Sequence, residues 1–297
     1  MKSSCPVCKS SSYHCVGIPQ IGGKVTKIIK KKHLVVQCNH CQFYFLAPRI
    51  DLAKEEWEYL YNEEYFPQPT NWHFKQRELD RKKRFDKLQS YSSLKIVNFL
   101  DIGCGEGRSL LAAYNRGWES FGVDIFDNRS EDIKKINGHF IKSDLFNASF
   151  PDNFFDIIYL DSVLEHVTNP LEYLIEIKRI MRKEAVLYIG VPNEDSLFND
   201  FRKIIFKITR RTEISEKIMP FKSPFHIGGF NSSSLDYIVN SVELEIKEKR
   251  NFACRFEFLK YSFLSSGFLS ALISFPVYLL AFLLKREAYF ELYLVKK

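Results

Sequence analysis

The chain has 297 residues, 45% of them hydrophobic, and 43 Lys and Arg against 36 Asp and Glu give a net charge of +7. That length and apolar content suffice for one α/β domain with a small satellite and exclude a disordered or low-complexity polypeptide. Seven cysteines make an odd count without a disulfide framework, and Met1-Lys2-Ser3-Ser4-Cys5 lacks the apolar core of a leader, so a reducing, cytoplasmic setting is expected.

In chain order, the first feature is a pair of knuckles, Cys5-Pro6-Val7-Cys8 and Cys38-Asn39-His40-Cys41. One C-x-x-C turn can serve redox chemistry or hold two thiolates on an ion; two such turns complete the tetrahedral shell of zinc. A structural Zn2+ on Cys5, Cys8, Cys38 and Cys41 is therefore expected. His14, His33 and His40 are available substitutes, but the cysteines already fill the shell. A turn at Gly22-Gly23, with the β-rich stretch Val25 to Val36 after it, predicts the hairpin that joins the knuckles. Residues 1–50 thus read as a zinc ribbon, too small to bury much core unaided. Residues 51–95 read as a helical connector. Its Tyr61, Tyr65 and Phe66 either stack on a ligand or join ribbon to core. Arg77 to Lys87 reads as a charged helix with a solvated face.

From Ile96 an apolar run predicts a buried strand ending on Asp101. Gly103, Gly105 and Gly107 follow at alternate positions, and a helical pattern starts at Ser109. Glycine admits positive φ and a close ligand, while the helix start offers free N–H groups and positive dipole. Arg108 stands where a dinucleotide fingerprint needs its third glycine, and no Lys-Ser/Thr pair marks a phosphate loop. Glu119 to Asp124 is a second strand, with a carboxylate at the offset where a ribose diol is held. Gly138 to Asp144, Phe155 to Asp161 and Ala185 to Val191 are the third, fourth and fifth. Asn169-Pro170 opens a helix with Leu171, Leu174, Ile175 and Met181 as its apolar stripe. Val242 to Lys249 and Tyr289 to Val295 read as a sixth and seventh strand, paired antiparallel. The expected fold over residues 96–297 is α/β, a Rossmann-like, doubly wound, seven-stranded sheet.

Asp101-Ile102-Gly103-Cys104-Gly105-Glu106-Gly107 resembles the first motif, D-x-G-x-G-x-G, of the class I S-adenosylmethionine-dependent methyltransferases. A zinc ribbon leading such a domain is similar to enzymes related to sugar and quinone methyltransferases. The resemblance implies S-adenosyl-L-methionine as cofactor, capped by the connector. It implies cofactor contacts from Asp101, Gly103, Gly105, Gly107 and Asp124, from Asp144 beside the adenine amino group, and from Leu145 and Asp161. Related sugar enzymes carry a histidine over the acceptor pocket in a segment similar to Pro224-Phe225-His226-Ile227-Gly228-Gly229-Phe230, which implies His226 as the catalytic base. Glu165 and His166 are the other catalytic candidates. Quinone O-methyltransferases carry E-x-x-E-H here and use it on a divalent metal, whereas this chain has Ser162-Val163-Leu164-Glu165-His166, without the first acid.

Two later segments point to a membrane. Within a basic insert, 195–230, Leu197, Phe198, Phe201, Ile204, Ile205 and Ile208 fall on one helical face, with Arg202, Lys203, Lys207, Arg210 and Arg211 off it. From 261 to 284 no residue is charged, enough for a span of about twenty residues. The strands on either side belong to one sheet, so an apolar hairpin over 261–284, broken at Gly267 or Pro276, is expected to enter one leaflet. Lys260, Lys285 and Arg286 flank it. The alternative is that the two segments pack on each other as a lid.

The expected function is methyl transfer to a small or lipid-linked acceptor, such as a glycan precursor, a sugar or a polyprenylated ring. It is placed at the cytoplasmic membrane face, with the protein peripheral or monotopic on an anionic surface. A methyltransferase-fold binding module, or an RNA-directed methyltransferase using the ribbon and basic surface, is the alternative. It stands behind the first because the connector's aromatics sit among Glu55, Glu56, Glu58, Glu63 and Glu64, which repel phosphate. No N-P-P-Y-like tetrad follows the fourth strand either, so nucleic acid is not the expected partner.

Overall fold

The computed structural model describes residues 3–20, 25, 28–29, 31–61, 71–92, 97–222, 224–253 and 265–296. The expected Gly22-Gly23 turn, Tyr65 and Phe66 of the connector, Ile96 and residues 254–264 lie outside the described residues.

The chain opens with β1 (Tyr13–Gly17), β2 (Leu34–Cys38) and β3 (Tyr44–Ala47), then α1 (Lys54–Leu60) and α2 (Asn71–Tyr91). The α/β part runs β4 (Asn98–Ile102), α3 (Arg108–Tyr114), β5 (Glu119–Asp124), β6 (His139–Lys142), β7 (Phe155–Asp161), α4 (Pro170–Ile180) and β8 (Met181–Pro192). It finishes with α5 (Leu197–Ile208), β9 (Gly228–Gly229), α6 (Ser232–Ser241), β10 (Glu245–Phe252), α7 (Ser266–Leu283) and β11 (Tyr289–Val295).

The larger sheet has seven strands in the order β10-β11-β8-β7-β4-β5-β6. Every described pairing is parallel except those of β11, which runs against both β8 and β10. The doubly wound, seven-stranded fold and its antiparallel last pair agree with the expectation. A central strand covered on both faces needs a continuous apolar run, and Ile157, Ile158, Tyr159 and Leu160 of β7 are all buried. The chain leaves β4 toward β5 and β6 on one side and reaches β7 and β8 on the other, so the strand order reverses between β4 and β7. Open α/β sheets bind ligands beyond the carboxyl ends of the strands at such a point.

The smaller sheet is antiparallel, in the order β1-β2-β3-β9. Its last strand comes from the insert after α5, not from the ribbon. Gly228 pairs with Phe45, and a Cβ there would lie 2.7 Å from Cζ of Phe43, so only glycine lets β9 come this near. Cys5, Cys38, Phe43 and Phe45 belong to one buried cluster with Leu100, Ile158 and Leu187. The ribbon thus shares its core with the larger sheet, which supplies the apolar burial it lacks alone.

Several local expectations need correction. Among the described residues of the β-rich stretch 25–36, only those from Leu34 onward form a strand. Ile175 faces solvent, and Met181 begins β8 instead of closing the helical stripe. The Arg77 to Lys87 helix is not simply solvated, because Phe85 and Leu88 are fully buried and Arg84 turns inward. The described part of the apolar run is one continuous helix, α7, with Pro276 inside it, and not a hairpin. Among the described residues no helix is long and apolar enough to cross a membrane. α7 packs on α5, with the Phe198 and Tyr278 rings 4.3 Å apart. That pairing buries only one side of each helix: Phe201, Ile204, Ile208, Leu272, Leu279 and Leu283 remain exposed.

Candidate active site

A cavity of about 720 Å³ opens at the strand reversal, within the usual range of small-molecule sites. Gly103, Asp124, Asp144, Leu145, Asp161, His166 and His226 of the expected site line it. Asp101, Gly105, Gly107 and Glu165 are not among its lining residues.

Each acid owes its place to a strand end. Asp124 closes β5, and its Oδ2 accepts the Gly105 N–H at 2.8 Å while Oδ1 accepts that of Phe126 at 3.1 Å. Burial raises its pKa and these N–H groups oppose the shift. Burial, opposed by Arg81 and helped by the Asp161 and Asp124 carboxylates, raises Asp101 well above the usual carboxylate range, so it is better suited to shaping the turn than to holding a cation. The turn itself needs glycine at 103, where φ is +68° and a Cβ would lie 2.5 Å from Cγ2 of Val163.

Asp161 closes β7. Its Oδ2 accepts from Arg84 Nη1 at 2.9 Å and from the Tyr159 hydroxyl at 3.0 Å. Gly190 of the neighbouring strand leaves room for it, because a Cβ there would meet Asp161 Oδ1 at 2.4 Å. Arg84 also pairs with the buried Glu291 of β11, so helix α2 is bolted to the floor of the cavity. Sequence reading missed Arg84, and it missed Tyr173 and Tyr289, which join Trp57 and Tyr61 in the lining.

His166 and His226 line the same cavity, with Glu165 buried beside them. Glu165 and His166 share a short 3-10 turn after β7, and the Ile227 N–H donates to the Glu165 carbonyl at 3.0 Å, tying the His226 segment to that turn. His226 Nε2 lies 3.8 Å from Glu165 Oε1 and His166 Nε2 lies 4.0 Å from it. The Tyr61 hydroxyl meets His166 Nδ1 at 2.9 Å, which orients that ring. Glu165 is 1% exposed, and neither carboxyl oxygen has a hydrogen-bond partner among the described residues. Burial pushes it up to about 8, so its proton is largely retained at neutral pH. Burial lowers His226 to about 4, and burial together with His226 lowers His166 to about 3, leaving both imidazoles neutral. The three ligand atoms lie within 4.8 Å of one another, near enough to close on one cation, although Ser162 withholds the second acid.

A separate cluster joins the knuckles. Cys5 Sγ lies 3.5 Å from Cys41 Sγ and Cys8 Sγ 3.4 Å from Cys38 Sγ, with all four sulfurs mutually within 4.8 Å. Zinc–sulfur bonds of about 2.3 Å in a tetrahedron place sulfurs about 3.8 Å apart, so the donor set fits zinc. His14 and His33 are engaged elsewhere, with Asn39 and the Pro48 carbonyl.

Residues 100–189 match the family described as a methyltransferase domain. The chain carries a methyltransferase domain of the class I fold. The methyltransferase fold extends well beyond the matched stretch. A SAM-dependent methyltransferase from Archaeoglobus fulgidus is 21% identical, with a TM-score of 0.51 over 81% of this chain and 100% of that one. The plantazolicin methyltransferase BpumL, solved with S-adenosylhomocysteine, is 19% identical, with a TM-score of 0.50 over 75% of this chain and 84% of that one. Among curated relatives, norajmaline N-methyltransferase of Rauvolfia serpentina is 26% identical over 155 residues, 47% of this chain and 53% of its own. An uncharacterised protein of Methanocaldococcus jannaschii is 35% identical over 122 residues, 39% of this chain and 52% of its own. The chain thus spans about half the length of these two relatives.

Proposed function

We propose that this chain transfers the methyl group of S-adenosylmethionine to a lipid-linked acceptor at the cytoplasmic face of a membrane. The observation that carries this reading is one cavity lined both by the acids Asp124, Asp144 and Asp161 and by the half-buried imidazoles of His166 and His226. S-adenosylmethionine supplies an electrophilic methyl group on a sulfonium. Asp124 takes the ribose hydroxyls, Asp144 the adenine amino group, and Leu145 packs beside the base. Asp161, held by Arg84 and Tyr159, faces the amino-acid end. His226 Nε2 takes the acceptor's proton as the acceptor oxygen attacks the methyl carbon. Tyr61, Trp57 and Tyr289 cover the site and exclude water, which strengthens every charge interaction inside.

Zinc on the four cysteines belongs to the same reading, as a staple for the ribbon. Protein purified reduced and without chelator is expected to carry one zinc per ribbon. Cys38→Ser should lower zinc content and the protease resistance of the first fifty or so residues. Metal-free wild-type protein would end this assignment.

The membrane part rests on the exposed outer faces of α5 and α7. Ile208 is 76% and Leu283 67% exposed, with Lys207, Arg210 and Arg211 exposed beside them. An apolar face rimmed by cations with no ion pair among the described residues suits an anionic interface. Each such cation contributes on the order of 1 kcal/mol, so Lys207→Glu with Arg211→Glu should weaken binding to anionic vesicles at least about 30-fold. Flotation that is equal on neutral and anionic vesicles would contradict this placement.

A further inference from the structure

A second, smaller cavity of about 150 Å³ lies between α5 and the end of β8, and its lining includes Glu194, Asn199, Arg202 and Lys217. His226 and Tyr289 line both cavities, so the small one is a side chamber of the transfer site. Its cations are unequally satisfied. Lys217 Nζ donates to the Glu194 carbonyl at 2.8 Å and pairs with Asp195 at 3.3 Å. Nearby, Lys203 pairs with Glu216 and Arg286 with Asp200. Arg202 is half-buried, has no carboxylate partner among the described residues, and makes its hydrogen bond to the thioether of Met219 at 3.7 Å. A thioether is a weak acceptor, whereas a guanidinium fork matches an oxyanion in charge and in geometry.

We propose that this side chamber receives a phosphate group of the acceptor, gripped by Arg202, while the acceptor's hydroxyl lies at His226. The inference rests on the methyl-transfer reading above and adds the acceptor's chemistry to it. The volume equals that of roughly five waters at ~30 Å³ each, room for a tetrahedral oxyanion and the carbon that carries it. Glu194 also faces the chamber, with its Oε2 accepting from Asn199 at 3.1 Å. Burial pushes it up to about 7, against the pull of Lys217 and Arg202, so near neutrality its protonated form donates to a phosphate oxygen instead of repelling it. Arg202 sits on the helix whose outward face exposes Phe201, Ile205 and Ile208. A phosphate held here therefore leaves its ester chain beside an apolar surface, as a lipid phosphate requires.

Calorimetry on the full chain with farnesyl phosphate, farnesol, glucose 1-phosphate and S-adenosylhomocysteine tests this. Farnesyl phosphate should bind at least tenfold more tightly than farnesol, and Arg202→Met should erase the difference while S-adenosylhomocysteine affinity stays unchanged. Arg202→Lys, which keeps the charge and loses the fork, should retain part of it. Glucose 1-phosphate binding as tightly as farnesyl phosphate, with the same loss in Arg202→Met, would keep the phosphate site and overturn its lipid source. Equal affinity for farnesyl phosphate and farnesol in a wild type that binds S-adenosylhomocysteine would overturn this inference alone. Failure of the wild type to bind S-adenosylhomocysteine would overturn the reading beneath it.

Discussion

Asp124→Ala is expected to lower affinity for S-adenosylhomocysteine about 100-fold or more. The carboxylate is half-buried at the end of β5 and lines the cavity, and in the proposed complex its oxygens take two ribose hydroxyls. Hydrogen bonds to a charged group contribute about 1.5–3 kcal/mol each, so losing both exceeds 3 kcal/mol. The same truncation frees the Gly105 and Phe126 N–H groups, which loosens the turn and acts in the same direction. Asp127→Ala, three residues on and paired with Arg129 outside the cavity, serves as the control and should change affinity little. Titration calorimetry reads both variants. Matching affinities for wild type and Asp124→Ala would remove Asp124 from the cofactor site.

His226→Ala should slow methyl transfer by roughly 10²–10⁴, the usual contribution of a positioned general base, and leave S-adenosylhomocysteine affinity within about twofold of wild type. The split follows from role, because in the proposed complex Asp124 and Asp144 hold the cofactor while His226 meets the acceptor. His166→Ala should cost less, since His166 is turned toward the Tyr61 hydroxyl and positions the site without receiving the proton. A His226→Ala enzyme of normal rate, or an equal loss in both variants, would shift the base to another group.

The larger sheet was legible because its signals are local. Each parallel strand is a short apolar run ending on an acid or a turn, and the glycine spacing after Asp101 names the loop chemistry within seven residues or so. The cysteine pairs were legible because metal geometry fixes their spacing. The missed features depend on long-range pairing. Arg84 meets Glu291 across 207 positions and taken alone reads as surface charge, while Tyr61, open to either a ligand or a packing role in the sequence, meets its partner His166 across 105. Gly228–Gly229 carries no strand period, because two glycines paired with β3 show no alternation. The apolar run looked like a broken hairpin because Pro276 usually interrupts a helix. In the structure α7 continues through it while packed along α5.

One measurement bears most directly on methyl transfer to a lipid-linked acceptor. The purified chain is incubated with S-adenosylmethionine carrying a labelled methyl group and with membranes of its own cells, and the products are divided between organic and aqueous phases. The account predicts label in the organic phase that disappears with Asp124→Ala and nearly disappears with His226→Ala. Label confined to the aqueous phase or to RNA, or no transfer by a protein that binds S-adenosylhomocysteine, would contradict it.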